Sequence, residues 1–446
     1  MGKTVVAGGG TSGLAAAYTL DMAGADYVVL EKRDFAGGRI YGKAVDGFTL
    51  DLGAQFMFSR YRTLFDLLDK LGARDQLLTF RPFMGLLRDG TVNVVSMDLK
   101  ENLLHPLEGI KSLSNLLSWG GRIRMANLGI KFAELAKKLD FDEPLKAIEL
   151  DGVTFSDYAL QHFGQELLDY ICQPVASTLT LGVPEDISAA YGMALAWYMA
   201  PGLATFKKGG IGFLAQALSE KVKKNLHLRA SVTRIVIEDK KVKGVEVAIG
   251  GKTEFTEAES VICATLAGEA AGVLGDLPSS VTDLLEDIRY SACTHVMLAV
   301  PGRPLGKLYA VATPRQERFC FSGITENAVK APGYAPENSG IIHAYTYADH
   351  AREMLDMGDD QVRKLVLDDI RRIYPSFPEP IFCEIFRWPQ AVCLSTPGQI
   401  AQVQKLRVAL RDYRGLHLAG EFLGMGSVEA ALTYGVRAAE RVLAAS

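Results

Sequence analysis

The sequence predicts an α/β chain of two domains, one of them assembled from separated segments, and three observations carry that prediction. Its 446 residues, 48% of them apolar, exceed what one compact core accommodates. Its opening reads strand, glycine turn, helix, strand. Its closing stretch reads strand, turn, helix again, so two distant segments call for one sheet.

The opening is the most specific part. Thr4-Val5-Val6-Ala7 is a short run rich in β-branched residues, as a buried strand requires. Gly8-Gly9-Gly10-Thr11-Ser12-Gly13 follows and fits G-x-G-x-x-G, and Leu14 to Met22 is helix-prone, with Ala15, Ala16 and Ala17 small enough to lie close to a sheet. Tyr27-Val28-Val29-Leu30 makes a second strand, closed by Glu31. Gly8 permits the tight turn, Gly10 admits a pyrophosphate, and Gly13 allows close helix–strand packing. The helix N-terminus, with Thr11 and Ser12 in its first turn, presents N–H groups to phosphates. Glu31 stands about 20 residues beyond the glycines, where an acid accepts hydrogen bonds from a ribose. Together these make a Rossmann-like dinucleotide-binding unit. Lys32 to Arg39, with the doublet Gly37-Gly38, suits a loop over the same pyrophosphate.

Downstream, Phe48-Thr49-Leu50 reads as a strand before Asp51-Leu52-Gly53-Ala54-Gln55-Phe56, and Tyr61, Leu64, Phe65, Leu68 and Leu71 form a helical stripe stopped by Gly72. Met84 to Val95 alternates around Asp89-Gly90, a hairpin signal. From Leu107 to Phe141 the pattern is helical and basic, with Arg122, Arg124, Lys131, Lys137 and Lys138 among apolar residues. A further helix is expected from Ser156 to about Cys172, broken at Gln173-Pro174, and another after Ser188, ending before Pro201-Gly202. Gly209-Gly210-Ile211-Gly212 enters a helix to Val222, and a strand meander follows from Leu226 to Val247. Ser260 to Thr265 returns to the nucleotide sheet. Val296–Val300, Phe319–Ile324, Ile341–Tyr345 and Ile381–Phe386 read as four strands, with a helix from Asp359 to Tyr374 across them. Leu416 to Glu421 and then Gly426 to Ala431 supply the last strand and the start of the last helix.

These motifs together resemble the flavin-containing amine oxidoreductase superfamily, which includes amine oxidases, protoporphyrinogen oxidases and phytoene-type desaturases. The resemblance rests on the opening unit, Gly37-Gly38-Arg39, the Gly53-Ala54-Gln55-Phe56 segment and the terminal Gly420-Glu421 and Gly426-to-Ala431 motifs. Phe155 to Tyr158, His162 to Gly164, Gln173-Pro174, Leu181 to Val183, Asp186 to Ser188 and Arg387 to Ala391 follow the order seen in protoporphyrinogen oxidases.

The resemblance implies non-covalent FAD, touched by Gly8, Gly10, Thr11, Ser12, Gly13, Glu31, Lys32, Gly38, Arg39, Ala54, Gln55, Phe56, Val232, Gly420, Glu421, Ser427, Val428 and Ala431. It implies an FAD-binding domain of residues 1–80, 209–290 and 395–446, and a substrate domain of 81–208 and 291–394. Protoporphyrinogen oxidases anchor a propionate with an arginine near the hairpin, and Arg81 is the nearest candidate. Amine oxidases carry a lysine after the strand that ends here at Thr265, and two tyrosines framing the flavin. Ala267 to Leu277 holds no lysine, and Ser427 and Gly398 stand near the tyrosine positions.

The expected function is therefore FAD-dependent hydride removal from a bulky, largely apolar molecule, as in protoporphyrinogen oxidases. Amine oxidation and carotenoid-type desaturation are alternatives, and a non-redox isomerase or a nicotinamide dehydrogenase stands further off. The electron acceptor, O2 or a quinone, and the oligomeric state stay open. Composition excludes much else. A net charge of −4 gives no footprint for nucleic acid, and seven histidines show no metal-ligand spacing. Six cysteines without a C-x-x-C pair read as reduced thiols of a cytoplasmic protein. No run approaches the ~18 apolar residues of a membrane span, and the strand at Thr4 leaves no room for a signal peptide. The basic amphipathic stretch after Leu107 suits peripheral contact with a membrane surface.

Overall fold

The strand Thr4–Ala7 is buried along its whole length and pairs in parallel on both sides, with Tyr27–Glu31 and with Ser260–Cys263. The computed structural model describes residues 2–96 and 106–445. Residues 97–105, part of the expected 81–208 segment, lie outside the described residues. The sheet has five parallel strands, in the order Leu226–Leu228, Tyr27–Glu31, Thr4–Ala7, Ser260–Cys263, Leu416–Leu418. The helices Thr11–Met22 and Val428–Ala445 pack against each other, so the two ends of the chain meet.

Leu226–Leu228 belongs to this sheet and not to the meander. Arg229 takes a left-handed conformation (φ 57°), and the chain turns there into a separate antiparallel sheet of Ala230–Glu238, Lys241–Ile249 and Lys252–Glu257.

The second large sheet has seven strands, ordered Phe382–Trp388, Cys293–Pro301, Ser339–Thr346, Phe321–Glu326, Leu308–Ala312, Phe83–Arg88, Thr91–Ser96. Leu308–Ala312 was absent from the expected strands. Its five residues are all buried, so it shows no period-two alternation to read. Elsewhere parity does the sorting. Val296, Leu298 and Val300 pack with Val362, Val366 and Ile370 of the covering helix Asp359–Ile373. Met297 and Ala299 face the other way, onto Phe48, Leu50 and Leu52. His295 shares their parity, and so looks toward the Phe48–Leu52 segment.

Between the sheets lies the helical insert. Ser118, Thr154 and Ser188 cap three of its helices by accepting from the N–H groups of Gly121, Asp157 and Tyr191. The expected break at Gln173-Pro174 does not occur. Gly164 (φ 80°) ends the helix Phe155–Phe163, and the chain then runs through a wide turn, Leu168–Cys172, into the helix Gln173–Thr180. Pro174 sits at the start of that helix, directly after the wide turn. The helix Trp119–Leu135 leaves Trp119, Ile123 and Ile130 exposed. Among the described residues no helix is long and apolar enough to cross a membrane. Leu203–Phe206 pairs with Met57–Phe58 and Leu77–Phe80, so this small sheet crosses the expected boundaries at 80 and 208.

One polar cluster ties these layers together. Asp51 and Lys330, both with fully buried side chains, pair at 2.7 Å. Asp51 also accepts from the Ile211 N–H at 2.7 Å, and Lys330 donates to the Gln55 carbonyl. Burial pushes the Asp51 carboxyl up and the Lys330 ammonium down, and each partner opposes the other's shift. Lys330→Met would leave a buried carboxylate without its cation, which costs about 3–5 kcal/mol. The denaturant midpoint should fall accordingly, and Lys330→Met combined with Asp51→Asn should recover part of the loss. Equal midpoints for the single and double variants would show that the orphaned charge is not the cause.

Candidate functional site

Two cavities meet behind the first helix. The outer one, of about 350 Å³, is lined by Gly8, Gly10, Thr11, Ser12, Glu31, Lys32, Gly38, Val232 and Gly420 among others. The inner one, of about 210 Å³, is lined by Ala54, Gln55, Phe56, Ser427 and Val428 and by residues of the insert and the large sheet. Thr11, Arg39, Trp388, Glu421 and Ala431 line both. The structure thus brings together every expected cofactor residue except Gly13, which lies beneath the wall. A Cβ there would stand 1.9 Å from the Gly8 carbonyl oxygen, so Gly13 serves helix–strand packing.

A flavin dinucleotide fits these residues. Gly10 and Gly38 lie against each other in the wall of the outer cavity: a Cβ built on Gly10 comes within 4.0 Å of the Gly38 Cα, and one built on Gly38 within 3.2 Å of the Gly10 Cα. A branched side chain at Gly10 would therefore extend past Gly38 into the cavity. Gly10 caps the first helix without a side chain, so the first N–H groups have no acceptor within the helix and are open to phosphate oxygens. Glu31 is buried at the base, its Oε2 accepting from Gly9 N at 2.7 Å and its Oε1 from Arg33 N at 2.8 Å. Arg39 reaches across to Glu421 at 2.5 Å and donates to the Ala391 carbonyl at 3.1 Å, which joins three distant segments at the neck between the cavities.

The last helix starts at Val428, with Ser427 accepting from Ala430 N at 3.0 Å. Its positive end therefore opens on the inner cavity. Behind it, Glu429 is 1% exposed and accepts from the N–H groups of Arg62, Thr63 and Leu64 at 2.5, 2.6 and 3.1 Å. It caps the helix Thr63–Leu71 from outside that helix. Burial, with Asp142 beside it, pushes the Glu429 carboxyl up to about 7.

The inner wall holds residues that sequence reasoning missed. His295, buried in the large sheet, places Nδ1 3.0 Å from the Leu52 carbonyl and Nε2 3.0 Å from His343 Nδ1. The Leu52 oxygen can only accept, so Nδ1 carries the proton and Nε2 accepts from His343. Asn327 donates to His343 Nε2 at 3.2 Å and to Gln55 Oε1 at 2.9 Å. Trp388 Nε1 adds a second donor to the Leu52 carbonyl at 2.7 Å. Burial lowers His295 to about 4, so both rings are neutral. Thr178 and Leu179 come from the helix Gln173–Thr180, which the expected stop at Gln173-Pro174 hid, and Leu181 caps its end. Arg81 is exposed and does not line the inner cavity; its Nε donates to the Pro201 carbonyl at 3.2 Å. Strand pairing at Leu77–Phe80 carries this residue, the anchor expected at the cavity mouth, outward.

Comparison with known proteins agrees with this geometry. A family model described as flavin containing amine oxidoreductase matches residues 11–443. The chain is 22% identical over 497 aligned positions to the mitochondrial protoporphyrinogen oxidase of Nicotiana tabacum, covering 99% of this chain and 94% of that protein. It is 28% identical over 284 positions to a probable zeta-carotene desaturase of Synechococcus elongatus, covering 59% of this chain and 58% of the relative. Among solved structures, a redesigned putrescine oxidase superposes with a TM-score of 0.78 at 20% identity, over 100% of this chain and 99% of that one; the likeness is one of fold.

Two outcomes follow from the site. Gly10→Val should fill the phosphate cradle and yield folded, colourless protein, whereas the wild type should release all its flavin into an acid supernatant. A yellow variant would refute the cradle. Glu429 gives a pH signature. Its folded-state pKa lies above its ordinary value, so the native state binds the extra proton. The associated stability is present below about pH 4.5 and is lost as pH rises through about 7, on the order of 3 kcal/mol. Thermal melts from pH 5 to 8 should show wild type losing stability relative to Glu429→Gln. Parallel curves would disprove the assignment.

Proposed function

The chain belongs to the flavin-containing amine oxidoreductase family, and within it we propose an FAD-dependent oxidoreductase that takes hydride from a bulky, apolar and uncharged substrate. One observation carries the substrate class. Among the described residues lining the inner cavity, Arg39 and Glu421 are the charged pair, and they neutralise each other at the neck. The rest of the wall is Leu, Ile, Phe, Val and Ala surface with hydroxyls, two thiols, the Gln55 amide and neutral rings. An ionised group entering it would lose its water without gaining a counter-ion.

Bound FAD supplies the electron-pair acceptor. The chain's residues do the rest. Glu31 and Val232 hold the adenosine end, while Gly10, Thr11, Ser12, Gly38 and Arg39 hold the phosphates. Ala54 to Phe56 and Ser427-Val428 hold the ring end. The N-terminus of the last helix would favour negative charge on a flavin ring held there by roughly 0.3–2 kcal/mol. Phe56, Phe58, Leu179, Leu181 and Leu195 exclude water from the place where substrate lies. His295 has both ring nitrogens committed and a lowered pKa, so it holds the wall and does not act as a base.

Anaerobic bleaching of the bound flavin tests this reading. Uncharged polyenes and cyclic hydrocarbons should bleach it, and tetracarboxylic or dicationic molecules should not. Bleaching by small hydrophilic diamines, with none by apolar compounds, would refute the proposal.

A further inference from the structure

We propose that Tyr61 orients the substrate, donating a hydrogen bond from its hydroxyl to a neutral oxygen acceptor on an otherwise apolar molecule. The proposal deepens the reading of the inner cavity as the substrate site and rests on it.

Apart from Thr11 and Ser427, which stand at the cofactor end, the wall's hydroxyl, amide and ring groups other than Tyr61 spend their protons within the protein. Thr178 Oγ1 donates to the Ser322 carbonyl at 3.1 Å, and the Tyr191 hydroxyl donates to the Gly426 carbonyl. Thr325 Oγ1 donates its single proton to Asn327 Oδ1 at 3.0 Å, so the Tyr345 hydroxyl, 2.7 Å from Thr325 Oγ1, must be the donor in that pair. The Gln55 amide donates to the Asp51 and Gly53 carbonyls at 2.7 and 2.8 Å. His295 and Trp388 spend their protons on the Leu52 carbonyl. These groups therefore have no proton left to donate to a ligand.

Tyr61 differs. It lines the cavity and is 3% exposed; its hydroxyl makes no hydrogen bond among the described residues, and it is not one of the fully enclosed polar atoms left without a partner, so it keeps contact with open space. Buried hydroxyls are ordinarily partnered. The ring cannot swing to find one. It stands edge-on to Phe58 at 5.6 Å and is flanked by Tyr198 at 6.2 Å and Phe141 at 6.5 Å. Its own N–H is tied to the Phe58 carbonyl at 3.1 Å, and the next three N–H groups are tied to Glu429. Burial, with Glu429 nearby, holds the phenol well above its ordinary pKa, so it keeps its proton and can only serve as a neutral donor. A rigid donor facing an apolar cavity selects a molecule whose acceptor falls at that point, because any other molecule leaves the hydroxyl unpaired.

The test uses a matched probe pair, 2-decalone and decalin, titrated into the oxidised yellow holoprotein while the flavin absorbance is followed. Wild type should bind the ketone about 5–10-fold more tightly than the hydrocarbon. Tyr61→Phe should bring the two affinities together by weakening the ketone alone, with flavin content and melting temperature unchanged. An unchanged ratio, or equal weakening of both probes, overturns the role of Tyr61 and leaves the flavin and cavity assignments standing. Binding of neither probe overturns both this proposal and the apolar substrate class.

Discussion

The buried ion pair between Asp51 and Lys330 is the constraint on which the inner cavity depends. Such a pair adds little net stability over two apolar side chains of similar size, because both charges lose their water. What it supplies here is geometry. Asp51 ends the strand Phe48–Asp51, and Lys330 ends a short helical turn, Asn327–Lys330, after the strand Phe321–Glu326 of the seven-stranded sheet. With Ile211 N–H on the same carboxylate, three separated segments converge on one side chain. The segment from Asp51 to Phe56 is pinned from below, and its exposed edge becomes cavity wall.

The neutral network beside it extends that grip. Both histidines have their tautomers dictated by a chain of donors that ends on the Leu52 carbonyl, and no member is left with an unmet partner. A fully satisfied buried network of this kind rigidifies the backbone it touches. The consequence for function is a wall whose polar atoms are occupied with one another. The cavity is apolar in effect even where it is not apolar in composition.

The dinucleotide end works differently. There the important groups are backbone N–H vectors and the absence of side chains at Gly10 and Gly38. That geometry is local, so it was legible: the order strand, glycine turn, helix, strand, acid carries its own physical logic. The last strand and last helix were legible for the same reason, and the first helix does pack against the last. The inner wall was largely illegible. His295, His343 and Tyr345 sit on strands buried on both faces, where alternation cannot tell core from cavity. Thr178 and Leu179 were hidden by reading Pro174 as a stop, when it sits at the start of their helix.

The sequence by itself determined the nucleotide cradle, the pairing of the chain's two ends around one cofactor, and the family, because each depends on neighbours a few residues apart. Only the tertiary structure decided which side chains line the inner cavity and which wall protons are already spent. Those facts are set by contacts between residues hundreds of positions apart, such as Asp51 with Lys330 and Gln55 with Asn327. Burial then fixes their charge and tautomer, and no pattern along the chain encodes burial of that kind.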